Sequence, residues 1–549
     1  MNLELCRIGL CWALCGAIAF AQGTTHPTKS LTEAAAERVV DLPRGCIVTG
    51  ESVDGVVAFA GAGEMPEGSA ANPGDLLFEI GSITKVFNGL LLSQMVVAGE
   101  AALEDTVADL LDPGVTFADE RVGAITLLQL VTHTSGLRRL PKDLFEGAAK
   151  DDPYAHYDES RMIGYLAKAK LEGEAPFDMS YSNLGAGLLG HLLARKAGQP
   201  WEKLVRERIC IPLGLKDTQV DVSASPRVFA PPYSGKKESH TWSLAALKSA
   251  GALRSTAADL IRFGQAFLDP DSTPLAEAIR LACQPHANAP SSGGQIGLGI
   301  FIGKRDGRTV LNHSGGTGGY RTFIQIEPDA QRVSVVLVNN SEFEPATVLA
   351  AQRPKSKKSA KERVEVSLAP DELKRYPGVY ALDRSARFTV LPREGGLWVR
   401  LTGQTFLKAF PMGKDRFFLK VVEAEFQFDS GEGPARTLTL FQNGNELLAK
   451  RSADPLPAVT FRPPAELKPY TGDYTMIGGA KFEITLRGGT LFAKLADQPA
   501  LPVFETAEDT FEYDVVEAKL TFTLNDAGAV NGLVLHQNGI TLPAAREQE

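Results

Sequence analysis

Residues 45–62, GCIVTGESVDGVVAFAGA, carry two apolar-rich runs on either side of Asp54-Gly55, which predicts two strands joined by a tight turn. From Ile83 the period changes. Ile83, Val86, Phe87, Leu90, Leu91 and Met95 recur at helical spacing, which predicts a helix to about Ala98 with Gly99 as its stop. Helical patterns dominate the next section, most clearly in LLQLVTH (127–133) and NLGAGLLGHLLARKAG (183–198). Near residue 310 strand patterns return, as TVLNH, RTFIQIEP and RVSVVLVNN, with a turn at Asp329-Ala330. Strands at both ends with helices between predict an α/β (α+β) domain. Its antiparallel sheet is closed by both ends of the domain and carries an inserted helical lobe.

The pattern then changes twice. Residues 350–370 form a basic linker in which Arg353, Lys355, Lys357, Lys358, Lys361 and Arg363 cluster, read as a solvated segment in an otherwise acidic chain. After it comes an internal repeat. LKRYPGVY (373–380) matches LKPYTGDY (467–474), and REGGLWVRL (393–401) matches RGGTLFAKL (487–495). RFFLKVVEAEFQFD (416–429) matches TFEYDVVEAKLTFT (510–523), and LTLFQNG (438–444) matches LVLHQNG (533–539). The matched blocks keep their order and are strand-rich with Gly and Asp turns. They predict two small antiparallel β-barrel-like modules, 371–453 and 454–549, joined at the Pro-rich DPLPAVTFRPP (454–464).

The chain has 549 residues, 44% of them hydrophobic, enough for several cores. Its formal net charge of −9 offers no attraction to phosphate backbones, which argues against a nucleic-acid partner. Arg7, the apolar run Ile8–Phe20 and Ala19-Phe20-Ala21 fit a cleaved signal peptide over 1–21. No later run is long enough to span a membrane, so a soluble periplasmic or secreted bacterial protein is expected, with the first domain over 22–349. Cys46, Cys210 and Cys283 are spaced for neither a metal site nor a disulfide framework; one pair or three buried thiols remain open. No H-E-x-x-H or Cys/His cluster occurs, and the Gly-rich GGTGGY lacks a P-loop lysine, so no metal or other cofactor is indicated.

Candidate chemistry begins at LFEIGSITKVF (77–87). Ser82 and Lys85, three residues apart on a helix start, share one face. A serine hydroxyl needs a base, and a lysine serves when burial or neighbouring positive charge lowers its pKa. The spacing alone is weak, since a serine at a helix start is commonly an N-cap. A second copy, Ser234 and Lys237 in PPYSGKK, reads as a surface loop. Ser82 has company, however. Tyr181-Ser182-Asn183 precedes a predicted helix, and His313-Ser314-Gly315-Gly316 lies on a predicted strand.

These motifs, in this order, resemble the serine β-lactamase and penicillin-recognising family. Y-S-N and H-S-G in second and third place are similar to the class C branch, which also holds D-alanyl-D-alanine carboxypeptidases, D-aminopeptidases and esterases. The phrases LLQLVTHTSGL (127–137), IPLGLKDT (211–218) and GALRSTAADLIRF (251–263) support the resemblance, which covers roughly residues 40 to 345. It implies a β-lactamase-like catalytic domain in which Ser82 forms an acyl-enzyme and Lys85 holds or accepts its proton. Tyr181 would act as, or with, the general base, and Asn183 would bind the substrate or Lys85. The backbone N–H groups of Ser82 and Gly316 would stabilise the oxyanion, and Ser314, Gly315 and Gly316 would let a substrate backbone approach that edge strand. His313 departs from the lysine of the family's β-lactamases. A histidine, which ordinarily titrates at about pH 6.5, is mostly neutral near pH 7 and weakens carboxylate recognition. His133 in THTSGL reads as structural.

The expected function is therefore an exported serine hydrolase without a cofactor, cleaving a peptide-type amide or ester in a small substrate. The alternatives are a class C-like β-lactamase, or a non-catalytic envelope protein binding peptide or glycan. The β modules resemble the arrangement in D-aminopeptidases, where β-barrel domains follow the catalytic one.

Overall fold

A computed structural model describes residues 29–549 except 70, 150, 291–293, 306, 353–362, 384–385, 423, 443–444, 477–478, 497–499, 538 and 548–549. The signal peptide expected over 1–21 and most of the basic run lie outside the described residues. The rest divides into two compact units. Residues 29–352 make the bulk of one, and residues 363–547 the bulk of the other.

In the first unit the predicted turn joins β1 (Cys46–Val53) to β2 (Val56–Gly63). Asp54 and Gly55 both take positive φ, at 50° and 83°, the conformation that a two-residue hairpin turn requires. β3 (Leu77–Glu79) pairs with β4 (Arg254–Thr256) outside the main sheet. β5 (Ala287–Ala289), β6 (Gly294–Ile296), β7 (Phe301–Arg305), β8 (Arg308–Gly316), β9 (Arg321–Glu327) and β10 (Arg332–Val338) complete the main sheet. Its eight strands run in the order β2-β1-β10-β9-β8-β7-β6-β5. The two ends of this domain close it as expected, with Ile47 opposite Val338 and Val53 opposite Arg332.

Side-chain alternation puts the sheet between two layers of helices. α1 (Leu31–Arg38) and the later helix Ala346–Ala351 cover one face, where Ile47, Phe323, Val336 and Val338 meet Leu31, Ala34 and Val348. On the other face Val48, Ile324, Val333, Val335 and Leu337 share a core with α2 (Thr84–Val97), α3 (Asn183–Ala197) and α4 (Ala257–Leu268). The inserted segment supplies the helical lobe. There Asn88 of α2 donates to Ala186 O of α3 and accepts from Trp201 Nε1. The predicted helix at 127–133 is shorter than expected, Leu127–Val131, because His133 takes a left-handed conformation at φ 61° and ends it.

The second unit holds two closed antiparallel barrels of eight strands each, from Gly378–Ala381 to Asn445–Arg451 and from Gly472–Met476 to Ile540–Arg546. The sequence repeat is a repeat of side-chain chemistry. Tyr380 and Tyr474 each donate a hydrogen bond to the carbonyl of the tyrosine four residues earlier, both at 2.7 Å. Those tyrosines, Tyr376 and Tyr470, in turn donate to Asp415 and Asp509, each in a left-handed turn conformation. Arg451 and Arg546 bind backbone carbonyls at the closing strand of each barrel. Between the barrels, Arg400 pairs with Asp514 at 2.9 Å and stacks on Phe504.

Removing the Tyr474 hydroxyl leaves a buried carbonyl without its partner, a cost of about 1–3 kcal/mol. In urea unfolding, Tyr474→Phe and Tyr380→Phe are each expected to lower the barrel transition. Tyr380→Phe costs more, because Arg451 also donates to that hydroxyl at 2.7 Å. Wild-type midpoints for both variants would contradict the shared tyrosine network.

Candidate active site

Ser82 lies in a 3-10 turn, Gly81–Ile83, that runs straight into α2. The turn can sit there because Gly81 takes φ +52° and has no side chain; a Cβ would meet Gly316 N at 2.4 Å. Gly315 makes the matching approach, since its Cβ would fall 2.0 Å from Ile80 O. The turn bearing Ser82 thus rests directly on the end of β8. The family resemblance implies an edge strand at this place. β8 is in fact interior, paired with β9 over Leu311–Gly316 and with β7 over Arg308–Asn312. Its register with β7 stops before His313, so only His313–Gly316 has an edge not paired to that neighbour. Here the glycines serve the contact with Ile80 and Gly81.

Lys85 sits one turn further along and is almost fully buried. Its Nζ lies 3.0 Å from Ser82 Oγ and donates to Asn183 Oδ1 at 2.9 Å and to Ala250 O at 2.6 Å. Burial pushes its pKa well below the usual lysine value, and the positive charge of Arg139 pushes it further. The acceptor on Ala250 has no sequence signature, because any residue supplies a carbonyl.

Tyr181 and Asn183 reach this lysine from the N-terminus of α3. Ser182 between them is the cap. Its hydroxyl accepts from Gly185 N at 2.9 Å and donates to Arg138 O at 2.7 Å. The preceding loop holds the segment in place. Ser180 N donates to His133 O, Ser182 N to His133 Nδ1, and Asn183 N to Arg139 O, at 2.8–3.2 Å. The Tyr181 ring is packed against His133, centroid to centroid 4.4 Å, with His313 at 6.4 Å. Lys85 Nζ and Arg139 Cζ lie 4.8 and 5.0 Å from the ring centroid. His133 is thus a packing and hydrogen-bonding group beside the site, and burial followed by the charge of Lys85 pushes its pKa well down.

His313 projects from β8 and is buried. Its Nδ1 lies 2.6 Å from Ser314 O, so this nitrogen carries the hydrogen and Nε2 presents a lone pair. Nε2 is buried without a protein partner among the described residues. Burial, with the nearby Lys85, pushes the pKa down to about 3.

Ser82, Lys85, Tyr181, Asn183 and His313 therefore converge, with Gly315 and Gly316 beneath the Ser82 turn and Ser314 contributing a carbonyl. The other S-x-x-K, at Ser234, belongs to a short hairpin, Tyr233–Ser234 with Lys237–Glu238. Arg139 escapes a reading of the sequence, although it lies beside THTSGL. Among the described residues no cluster of His, Cys, Asp and Glu could hold a metal, and no helix is long and apolar enough to cross a membrane. Cys46, Cys210 and Cys283 are free thiols, each pushed up to about 12 by burial, which makes them poor nucleophiles.

The beta-lactamase family model matches residues 44–355, and a model described as a domain of unknown function, DUF3471, matches residues 456–547. The chain is 28% identical over 299 residues to the D-alanyl-D-alanine-carboxypeptidase/endopeptidase AmpH of Escherichia coli strain K12, covering 52% of this chain and 76% of that one. It is 26% identical over 418 residues to penicillin-binding protein 4* of Bacillus subtilis, covering 68% of this chain and 88% of that one. The fold matches a D-stereospecific amidohydrolase from a Streptomyces species at TM-score 0.51 and 24% identity, over 59% of this chain and 98% of that one.

A depressed imidazole pKa has a defined sign. Between about pH 6.5 and 3 the unfolded chain binds a proton at this histidine and the folded one does not. Stability is therefore lost as the pH falls through that window, by up to about 1.4 kcal/mol per pH unit from this group. In an NMR titration the His313 ring is expected to stay neutral from pH 8 to 4; protonation of His313 near pH 6.5 would contradict its burial.

Proposed function

The chain belongs to the beta-lactamase family, and from that premise we propose that it is an exported serine hydrolase acting through an acyl-enzyme on Ser82. Its substrate is a small peptide-type amide or an ester. The observation that carries this reading is the placement of Lys85 Nζ, buried and 3.0 Å from Ser82 Oγ, with Asn183 as its second partner. A desolvated amine at that distance can take the hydroxyl proton as Ser82 Oγ attacks. Tyr181, with Lys85 and Arg139 beside its ring, completes the base.

Acylation forms the Ser82 Oγ–carbonyl bond and breaks the scissile C–N or C–O bond. The proton taken from Ser82 passes through Lys85 and Tyr181 to the leaving group. In deacylation a water attacks the ester, gives its proton to the same pair, and Ser82 recovers a proton as it leaves. The N–H groups of Ser82 and Gly316 hold the oxyanion. Export follows from the signal-like segment at 1–21, which would deliver the enzyme to the periplasm or the medium.

A β-lactamase is the second reading, favoured by the family itself. His313 weighs against it. Its ring is neutral, with Nε2 a hydrogen-bond acceptor, so it gives a β-lactam carboxylate no cation. A non-catalytic envelope protein is the third reading, and the intact Ser82, Lys85 and Tyr181 weigh against that.

The mature protein is expected to react with a fluorophosphonate at Ser82 and to turn over short esters or D-amino-acid amides faster than a chromogenic cephalosporin. Ser82→Ala should remove all turnover, by on the order of 10^4-fold or more. Efficient, Ser82-dependent cephalosporin hydrolysis would instead establish the β-lactamase reading, and an unreactive Ser82 the binding protein.

A further inference from the structure

The ionic inventory of the site is uneven. Lys85 is enclosed by three acceptors, and its charge is disfavoured by burial. His313 and His133 are held neutral. Arg139 is the permanent cation beside Tyr181, because a guanidinium does not deprotonate in a protein. It is also poorly satisfied. No described carboxylate pairs with it, and its buried Nε has no partner among the described residues. The contrast with its neighbour is direct: Arg138 is exposed and pairs with Glu172 at 3.2 Å. Arg139 is half-buried, so part of its fork remains open to solvent.

Its backbone is fixed. The Arg139 carbonyl accepts from Asn183 N at 2.9 Å and Leu184 N at 3.2 Å, which ties it to the first turn of α3 and so to Tyr181 and Asn183. A cation anchored this way and left without a counter-charge is a site for an anion, and a planar fork suits a carboxylate. We propose that Arg139 is a specificity-determining residue that binds a carboxylate on the leaving-group side of the substrate, the side that Tyr181 serves with a proton. The preferred substrate is then an acyl compound whose leaving group ends in a free carboxylate, such as a peptide with its C-terminal residue. This rests on the reading of Ser82 as the acylated nucleophile, and it gives the site a carboxylate contact that neutral His313 does not.

The test uses the full mature chain and two thioesters with the same acyl group. In one the thiol leaving group carries a free carboxylate; in the other that group is a methyl ester. Wild type is expected to prefer the carboxylate by about tenfold or more in kcat/KM, a typical margin for one charge-assisted contact. Arg139→Gln should collapse that ratio mainly through KM on the carboxylate substrate, and Arg139→Lys should recover part of it. Fluorophosphonate labelling of Ser82 in each variant reports an assembled site. A wild type without preference overturns the proposal, whatever the variants do. An equal fall on both thioesters, with lysine no better than glutamine, assigns Arg139 to positioning Tyr181 and also overturns it. Failure of wild-type Ser82 to label overturns the acyl-enzyme reading and this proposal with it.

Discussion

The burial of one amino group sets the terms for the rest of the site. Lys85 Nζ is removed from water and surrounded by Ser82 Oγ, Asn183 Oδ1 and Ala250 O. Those acceptors come from the turn before α2, the first residue of α3 and the segment before β4. A single side chain thereby fixes the mutual distance of three remote parts of the chain. Desolvation also disfavours the charged form and so favours the free amine that can accept a proton. Geometry and chemistry come from the same act of burial, and only a core large enough to exclude water supports it. The helices packed on one face of the sheet provide that core.

Around this group the site is built from contacts of backbone on backbone. Gly81 and Gly315 let the Ser82 turn lie on β8, and the 133–139 loop holds Tyr181 and Asn183 by hydrogen bonds to main-chain groups. Local sequence determines part of this arrangement. The Asp54-Gly55 turn, the helix after Ser82, the helix from Asn183 and the strand bearing His313 are local signals, and all are legible. The barrel repeat is legible because its tyrosines and aspartates recur at one spacing, as the matched hydrogen bonds of Tyr376 and Tyr470 show.

What cannot be read depends on distance in the chain. Arg139 and His133 have no local pattern that marks them. They matter because Asn183, far along the sequence, folds back to bind the Arg139 carbonyl, and Ser182 to bind the His133 ring. The Ala250 acceptor is a bare carbonyl. The edge strand expected at HSGG comes from the family resemblance and from no pattern in these residues. The interior place of β8 follows from pairing with its neighbours along the chain, β7 and β9. The early end of the helix at Val131 is hidden by the positive φ of His133, an uncommon conformation for a residue other than glycine.

The central claim is that burial holds the Lys85 pKa well below the ordinary lysine value, so that its amine can take the Ser82 proton. The direct measurement is a pH titration of the Lys85 side-chain nitrogen by NMR in lysine-labelled protein, its signal identified by its loss in Lys85→Arg. A midpoint displaced well below the ordinary lysine value, apart from the unshifted bulk of the surface lysines, is the result predicted. A Lys85 that titrates with the surface lysines would show a solvated ammonium, and would contradict its role as the acceptor of the Ser82 proton.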